Sequence, residues 1–104
     1  MSAPFQDQTV LVLGLGDSGL AMAQWCARGG GRVLVADSRE QPPQAAALAA
    51  SVPGAVLRQG FDPAGLDGVQ RVLKSPGLSP LDPQLAPLLA RAAELGIPVQ
   101  GELD

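Results

Sequence analysis

The chain alternates short, unbroken apolar runs with longer mixed segments. Val10 to Leu13 is a continuous apolar run that enters a glycine cluster, the pattern of a strand buried on both faces of a parallel sheet. Ser18 to Arg28 is rich in good helix formers and stops at Gly29-Gly30-Gly31, so a helix is expected there. Val33 to Ala36 repeats the apolar run and ends at Asp37, completing a strand-helix-strand unit. Beyond Pro42-Pro43, the alanine-rich Gln44 to Ser51 predicts a short helix and Ala55 to Leu57 a third strand. Val69 to Lys74 predicts a fourth strand, cut off by Ser75-Pro76-Gly77.

Leu85, Leu88, Leu89, Ala92 and Leu95 then follow helical spacing, with Gly96 as the stop. Pro87 conflicts with a helix that begins at Pro83, because a second-turn proline lacks the N–H the helix needs, so the regular part is expected to start near Ala86. Ile97 to Gln100 predicts a last strand whose proline points to an edge or a strand start. Strands alternating with helices predict an α/β fold: one Rossmann-like, doubly wound, mostly parallel sheet of about five strands with flanking helices, residues 1–104 forming a single domain.

Composition narrows the function. The 104 residues are 46% hydrophobic and 16% charged, which favours a packed domain over disorder. Seven scattered Lys and Arg and a net charge of −3 give no electrostatic footprint for nucleic acid or an anionic membrane, so any phosphate must be held chiefly by backbone groups. Cys26 has no partner for a disulfide, and histidine is absent, so no metal cluster of those residues can form. No basic leader or bilayer-length apolar stretch is present, and a cytoplasmic location is expected.

Gly14-Leu15-Gly16-Asp17-Ser18-Gly19 fits G-x-G-x-x-G and lies between a strand and a helix, where the motif has a mechanism. Gly14 would allow the tight turn, Gly16 would admit a phosphate to the backbone, and Gly19 would let the helix pack on the strand. Amides around Asp17, Ser18 and Gly19 would face an anion at the positive end of the helix dipole, with the Asp17 carboxylate turned to solvent. The alternative is a glycine turn that only packs. Asp37, 18 residues after Gly19, stands where a nicotinamide-binding protein grips a ribose hydroxyl, and taken alone it suggests NAD; it could also be only a cap. Ser38 and Arg39 follow it, offering a nucleoside amides, a hydroxyl and a planar cation. Ser75-Pro76-Gly77 falls at the ligand-binding edge of the sheet or is an ordinary turn. Trp25 and Cys26 are expected to be buried against the sheet rather than to do chemistry. With no G-x-x-x-x-G-K-[ST] loop for ATP and no nucleophile-base pair, these residues can bind but not catalyse.

The ordered set Val10 to Gly19, Ala36 to Arg39, Lys74 to Gly77 and Gly96 to Leu103 resembles the N-terminal domain of the UDP-N-acetylmuramoylalanine–D-glutamate ligases of the Mur ligase family, across essentially the whole chain. That resemblance implies a three-domain ligase of peptidoglycan synthesis, in which this domain binds the UDP of UDP-N-acetylmuramoyl-L-alanine while absent domains hold ATP, magnesium and D-glutamate. It implies a UDP site of Leu15, Gly16, Asp17, Ser18, Gly19, Asp37, Ser38, Arg39 and Gly77. Asp17 and Ser18 would meet the pyrophosphate, and Asp37 to Arg39 the uracil. It also implies no catalytic or metal-binding residue in this chain. The rivals are a regulatory or redox domain that binds NAD, and an interaction module with a vestigial glycine loop.

Overall fold

A computed structural model describes residues 7–75 and 82–101. Its strands are β1 (Thr9–Leu13), β2 (Arg32–Asp37), β3 (Val56–Gln59), β4 (Arg71–Lys74) and β5 (Val99–Gly101). Helices α1 (Asp17–Arg28), α2 (Ala45–Ser51) and α3 (Ala86–Glu94) connect or cover them. All strand pairs are parallel and the order is β3-β2-β1-β4-β5, which places β1 at the centre. Its register explains the unbroken apolar run: Leu11 lies between Leu34 of β2 and Val72 of β4. Because side chains alternate along a strand, Val10 and Val12 enter one core with Met22, Ala23 and Leu48 of α1 and α2. Leu11 and Leu13 enter a second core with Leu66, Leu85, Leu88 and Ala92. A central strand of a two-sided sheet has no face left for a polar residue.

The outer strands depart from the expected limits. β3 begins at Val56 rather than Ala55 and extends to Gln59, and all its residues are exposed. β4 starts only at Arg71, because Val69 is drawn into a turn in which its N–H donates to the Leu66 carbonyl at 3.0 Å. β5 starts at Val99; Pro98 cannot donate, but its carbonyl accepts from the Val72 N–H at 2.9 Å and opens the ladder. The proline does mark an edge strand, as its chemistry requires. Between β3 and β4 lies a single 3-10 turn, Pro63–Leu66, which the apolar pattern did not announce. The Asp62 carboxylate caps it by accepting from the Ala64 N–H at 2.9 Å, and Leu66 fills the core beneath.

Helix limits are closer to expectation. α3 begins at Ala86, so Pro87 sits in the first turn, where a missing N–H costs nothing. The Asp82 carbonyl gathers the N–H groups of Leu85 and Ala86 just ahead of it. Leu95, expected on the apolar stripe, is instead the half-exposed C-cap. The buried positions of α1 are Gly19, Met22, Ala23 and Cys26. Trp25 falls about 100° round the helix from Cys26 and is 50% exposed, contrary to the expected burial, whereas Cys26 is fully buried.

α1 crosses the end of β1 so closely that a Cβ on Gly19 would lie 1.9 Å from the Gly14 carbonyl oxygen, a backbone atom that cannot step aside. A Cβ on Gly16 would meet nothing within 4 Å, and the Gly16 backbone, at φ −100°, is accessible to any residue. Gly19→Ala should therefore lose roughly 2–4 kcal/mol of stability, while Gly16→Ala should stay within about 1 kcal/mol of the parent. Urea denaturation of the two variants checks this, and equal midpoints would mean that α1 does not depend on the close approach.

Candidate functional site

The carboxyl ends of β1, β2 and β4 converge on the glycine loop. Gly14 has φ +88°, a conformation that penalises any side chain, and this lets the chain turn sharply out of β1. Its N–H donates to the Ala36 carbonyl at 2.7 Å, and its own carbonyl accepts from the Ser75 hydroxyl at 3.2 Å. The Ser75 N–H in turn donates to the Leu13 carbonyl at 3.1 Å. The loop is thus tied to both neighbouring strands before α1 begins.

At the next residue the tie passes to a side chain. The Leu15 N–H donates to Asp37 Oδ2 at 2.7 Å, and the Leu15 side chain is buried in the α1 core. Asp37 is 2% exposed, and its charge is satisfied from two directions. Its Oδ1 accepts from both the N–H and the Nε–H of Arg39 at 2.8 Å, and its Oδ2 also accepts from Arg39 Nη2 at 2.7 Å. The Arg39 side-chain hydrogen bonds, helped by the Leu15 and Arg39 amides and opposed by burial, hold the Asp37 carboxyl at about 2, below its ordinary 3.8. The same pair raises the pKa of Arg39, whose side chain remains 52% exposed above the carboxylate.

Gly16 is the N-cap of α1 in an extended conformation, and no side chain caps the helix. The first amides of α1 find no acceptor inside the helix, so the loop leaves donors at the positive end of the dipole. Asp17 is exposed and its carboxylate turns toward α2, where it accepts from the Gln44 side-chain amide. Ser18 is half-buried in the first turn, and Ser38 is exposed at the end of β2.

The structure therefore brings Leu15 to Gly19 and Asp37 to Arg39 together at one edge of the sheet. Two of the expected site residues also bond to each other. Leu15 has already committed its amide to Asp37, and Asp37 has committed its carboxylate to Leu15 and Arg39. Gly77 lies outside the described residues. The Ser75 tie to Gly14 was not foreseen, since no local pattern pairs residues so far apart.

Two clefts lie away from these residues. A cleft of about 650 Å3 lies at the opposite, amino-terminal edge of the sheet, between residues such as Gln8, Arg32 and Val52. A smaller one of about 210 Å3 lies beside Arg58 and Asp62. The glycine loop offers a ligand the backbone donors at the uncapped start of α1. Among the described residues no three His, Cys, Asp or Glu side chains gather as metal ligands. Burial pushes the Cys26 thiol up to about 11, against a smaller opposing effect of Arg71, which leaves it a packing residue rather than a nucleophile. No helix among the described residues is long and apolar enough to cross a membrane.

Comparison with known proteins adds a sequence family to this geometry. Residues 8–101 match the model of the Mur ligase MurD-like N-terminal domain. A UDP-N-acetylmuramoylalanine–D-glutamate ligase from Burkholderia thailandensis is 56% identical over 101 residues, covering 95% of this chain and 20% of the relative. The chain thus spans about a fifth of the length of that curated relative. Among solved structures, the UDP-N-acetylmuramate:L-alanyl-gamma-D-glutamyl-meso-diaminopimelate ligase from Neisseria meningitides superposes with a TM-score of 0.65 at 23% identity, over 91% of this chain and 28% of that one. Shikimate dehydrogenase from Aquifex aeolicus superposes with a TM-score of 0.64 at 22% identity, over 94% and 43%. The structural likenesses establish the Rossmann-like fold, which a ligase and a dehydrogenase share.

The paired carboxylate makes stability depend on pH with a defined sign. Because Asp37 titrates near 2 in the folded chain and near 3.8 in the unfolded one, its contribution is complete above the higher value. It is lost as pH falls through the interval between them. Asp37→Asn should cost about 2 kcal/mol at neutral pH, and the gap to the parent should narrow steadily toward pH 2. Urea denaturation of both proteins across that range measures it; a gap independent of pH would show that the charge does not hold the loop.

Proposed function

The chain belongs to the Mur ligase MurD-like N-terminal domain family, and from that premise we propose that it binds the UDP part of UDP-N-acetylmuramoyl-L-alanine. The observation that carries this reading is the uncapped start of α1, with open space where a Gly16 side chain would stand. A pyrophosphate there would accept from the Asp17, Ser18 and Gly19 amides and the Ser18 hydroxyl, at the positive end of the helix. Uracil, rich in carbonyl acceptors, would lie over the end of β2 against the Ser38 amide and the Arg39 guanidinium. Leu15 and Asp37 serve this site by fixing its shape, and Gly77, outside the described residues, joins it on the family resemblance alone.

In the parent enzyme the domain works in the cytoplasmic, ATP-dependent addition of D-glutamate during peptidoglycan synthesis. ATP, magnesium and D-glutamate belong to other domains, and this chain supplies binding without catalysis. The residue inventory supports that division, because the chain carries no G-x-x-x-x-G-K-[ST] loop to cradle the phosphates of ATP. The NAD reading loses its anchor: the carboxylate that would take the ribose hydroxyls already has its partners.

UDP and UDP-N-acetylmuramoyl-L-alanine should shift the amide resonances of Gly16 to Gly19, Ser38 and Arg39 with roughly sub-millimolar affinity, and NAD should not. A response to NAD with silence toward UDP would overturn the assignment. Gly16→Val should remain folded, since its side chain meets open space, yet lose UDP binding because a branched group occupies the phosphate position. Unchanged UDP affinity in that variant would move the phosphate site elsewhere. The chain alone should release no phosphate from ATP even with substrate and magnesium present, and contaminant-free release would reveal an active site not described above.

A further inference from the structure

We propose that Arg39 is a specificity determinant of this nucleotide site, excluding the unphosphorylated dinucleotide NAD by occupying the two positions on Asp37 that would otherwise grip a ribose diol. The exclusion follows from the hydrogen bonds alone; only the identity of the ligand admitted rests on the uridine-nucleotide reading. An ionised carboxylate has about four acceptor positions. On Asp37 all are taken: Oδ1 by the N–H and Nε–H of Arg39, Oδ2 by the Leu15 N–H and Arg39 Nη2. The two backbone donors come from the fold itself, one from the glycine loop and one from the residue after the strand end. The two side-chain donors are placed side by side, one on each oxygen, at 2.8 and 2.7 Å.

That is the footprint a vicinal diol would need. In Rossmann domains that bind NAD, an acidic residue at this strand end offers free acceptors to the ribose hydroxyls. Here a ligand reaching the same place meets a half-exposed guanidinium, which only donates, above a carboxylate that is 3% exposed. The strand end is thereby converted from an acceptor into a donor surface. Ribose hydroxyls can meet that surface only as acceptors and lose the charged acceptor that grips them in NAD sites, while the carbonyl oxygens of a pyrimidine match it directly. A leaving Arg39 side chain would reopen one acceptor on each oxygen without disturbing the Leu15 tie that shapes the loop.

The test is a titration of the parent chain and of Arg39→Ala with ADP-ribose, 2′-deoxy-ADP-ribose and UDP, followed by amide resonances. The parent should bind ADP-ribose negligibly, and Arg39→Ala should bind it at least about tenfold more tightly, since a hydrogen bond to a charged group is among the stronger ones. The gain should vanish with the 2′-deoxy ligand and in Asp37→Asn/Arg39→Ala. A folded Arg39→Ala with no gain, or a gain that persists with the 2′-deoxy ligand, overturns the proposal. Should Arg39→Ala not fold, Arg39→Lys serves: its single nitrogen keeps a charge beside Asp37 but cannot span both oxygens. It should gain ADP-ribose affinity in the same direction, and no gain there is equally fatal. If the parent fails to bind UDP while Arg39→Ala gains ADP-ribose, the uridine reading falls and the exclusion by Arg39 stands.

Discussion

Asp37 is the buried charged side chain among the described residues, and the shape of the glycine loop depends on how that charge is satisfied. Removing a carboxylate from water costs several kcal/mol unless hydrogen bonds replace the lost hydration. The replacement comes from two elements that are otherwise independent, the turn after β1 and the residues after β2. Burying this charge therefore forces the glycine loop against the end of the second strand. The Gly14 to Ala36 hydrogen bond and the Ser75 to Gly14 hydrogen bond extend the same tie across the sheet. A loop held at this many points can present unpaired helix amides to solvent without rearranging around them.

The core beneath is built to keep the loop still. β1 is packed from both faces, and α1 approaches its end so closely that only glycine fits at position 19. The contrast with Gly16 separates two uses of the same residue type. Gly19 is required by packing inside the domain, whereas nothing in the domain forbids a side chain at Gly16, so its bareness is intelligible only from the solvent side. An acidic chain can hold an anion on such a surface because the donors are backbone groups, whose positive potential does not depend on net charge.

A shared fold leaves function open, and here the difference resides in a handful of contacts. A shikimate dehydrogenase and a Mur ligase share this chain's Rossmann-like fold. What a nucleotide meets at the end of β2 depends on whether the acidic residue there faces the ligand or is turned inward and capped. In this chain a residue two places further on caps it, so the acidic position that marks a dinucleotide site in the general pattern has become part of the scaffold.

The amino-acid sequence by itself determined what depends on neighbours in the chain. The apolar run of β1, the glycine loop, the body of α1 and the start of α3 at Ala86 all follow from local periodicity, turn chemistry and the position of a proline. The glycine loop and the Asp37–Arg39 segment were visible as the candidate site for the same reason. The tertiary structure decided what depends on residues far apart. Trp25 faces outward because α1 turns Cys26 inward, and β3 lies exposed because it is an edge strand. The Leu15 amide was spent on a carboxylate 22 residues away. Apolar periodicity records which side of an element is buried, but the partner of a buried charge is chosen by the packing of the sheet, and that choice made Asp37 the fastening of the loop.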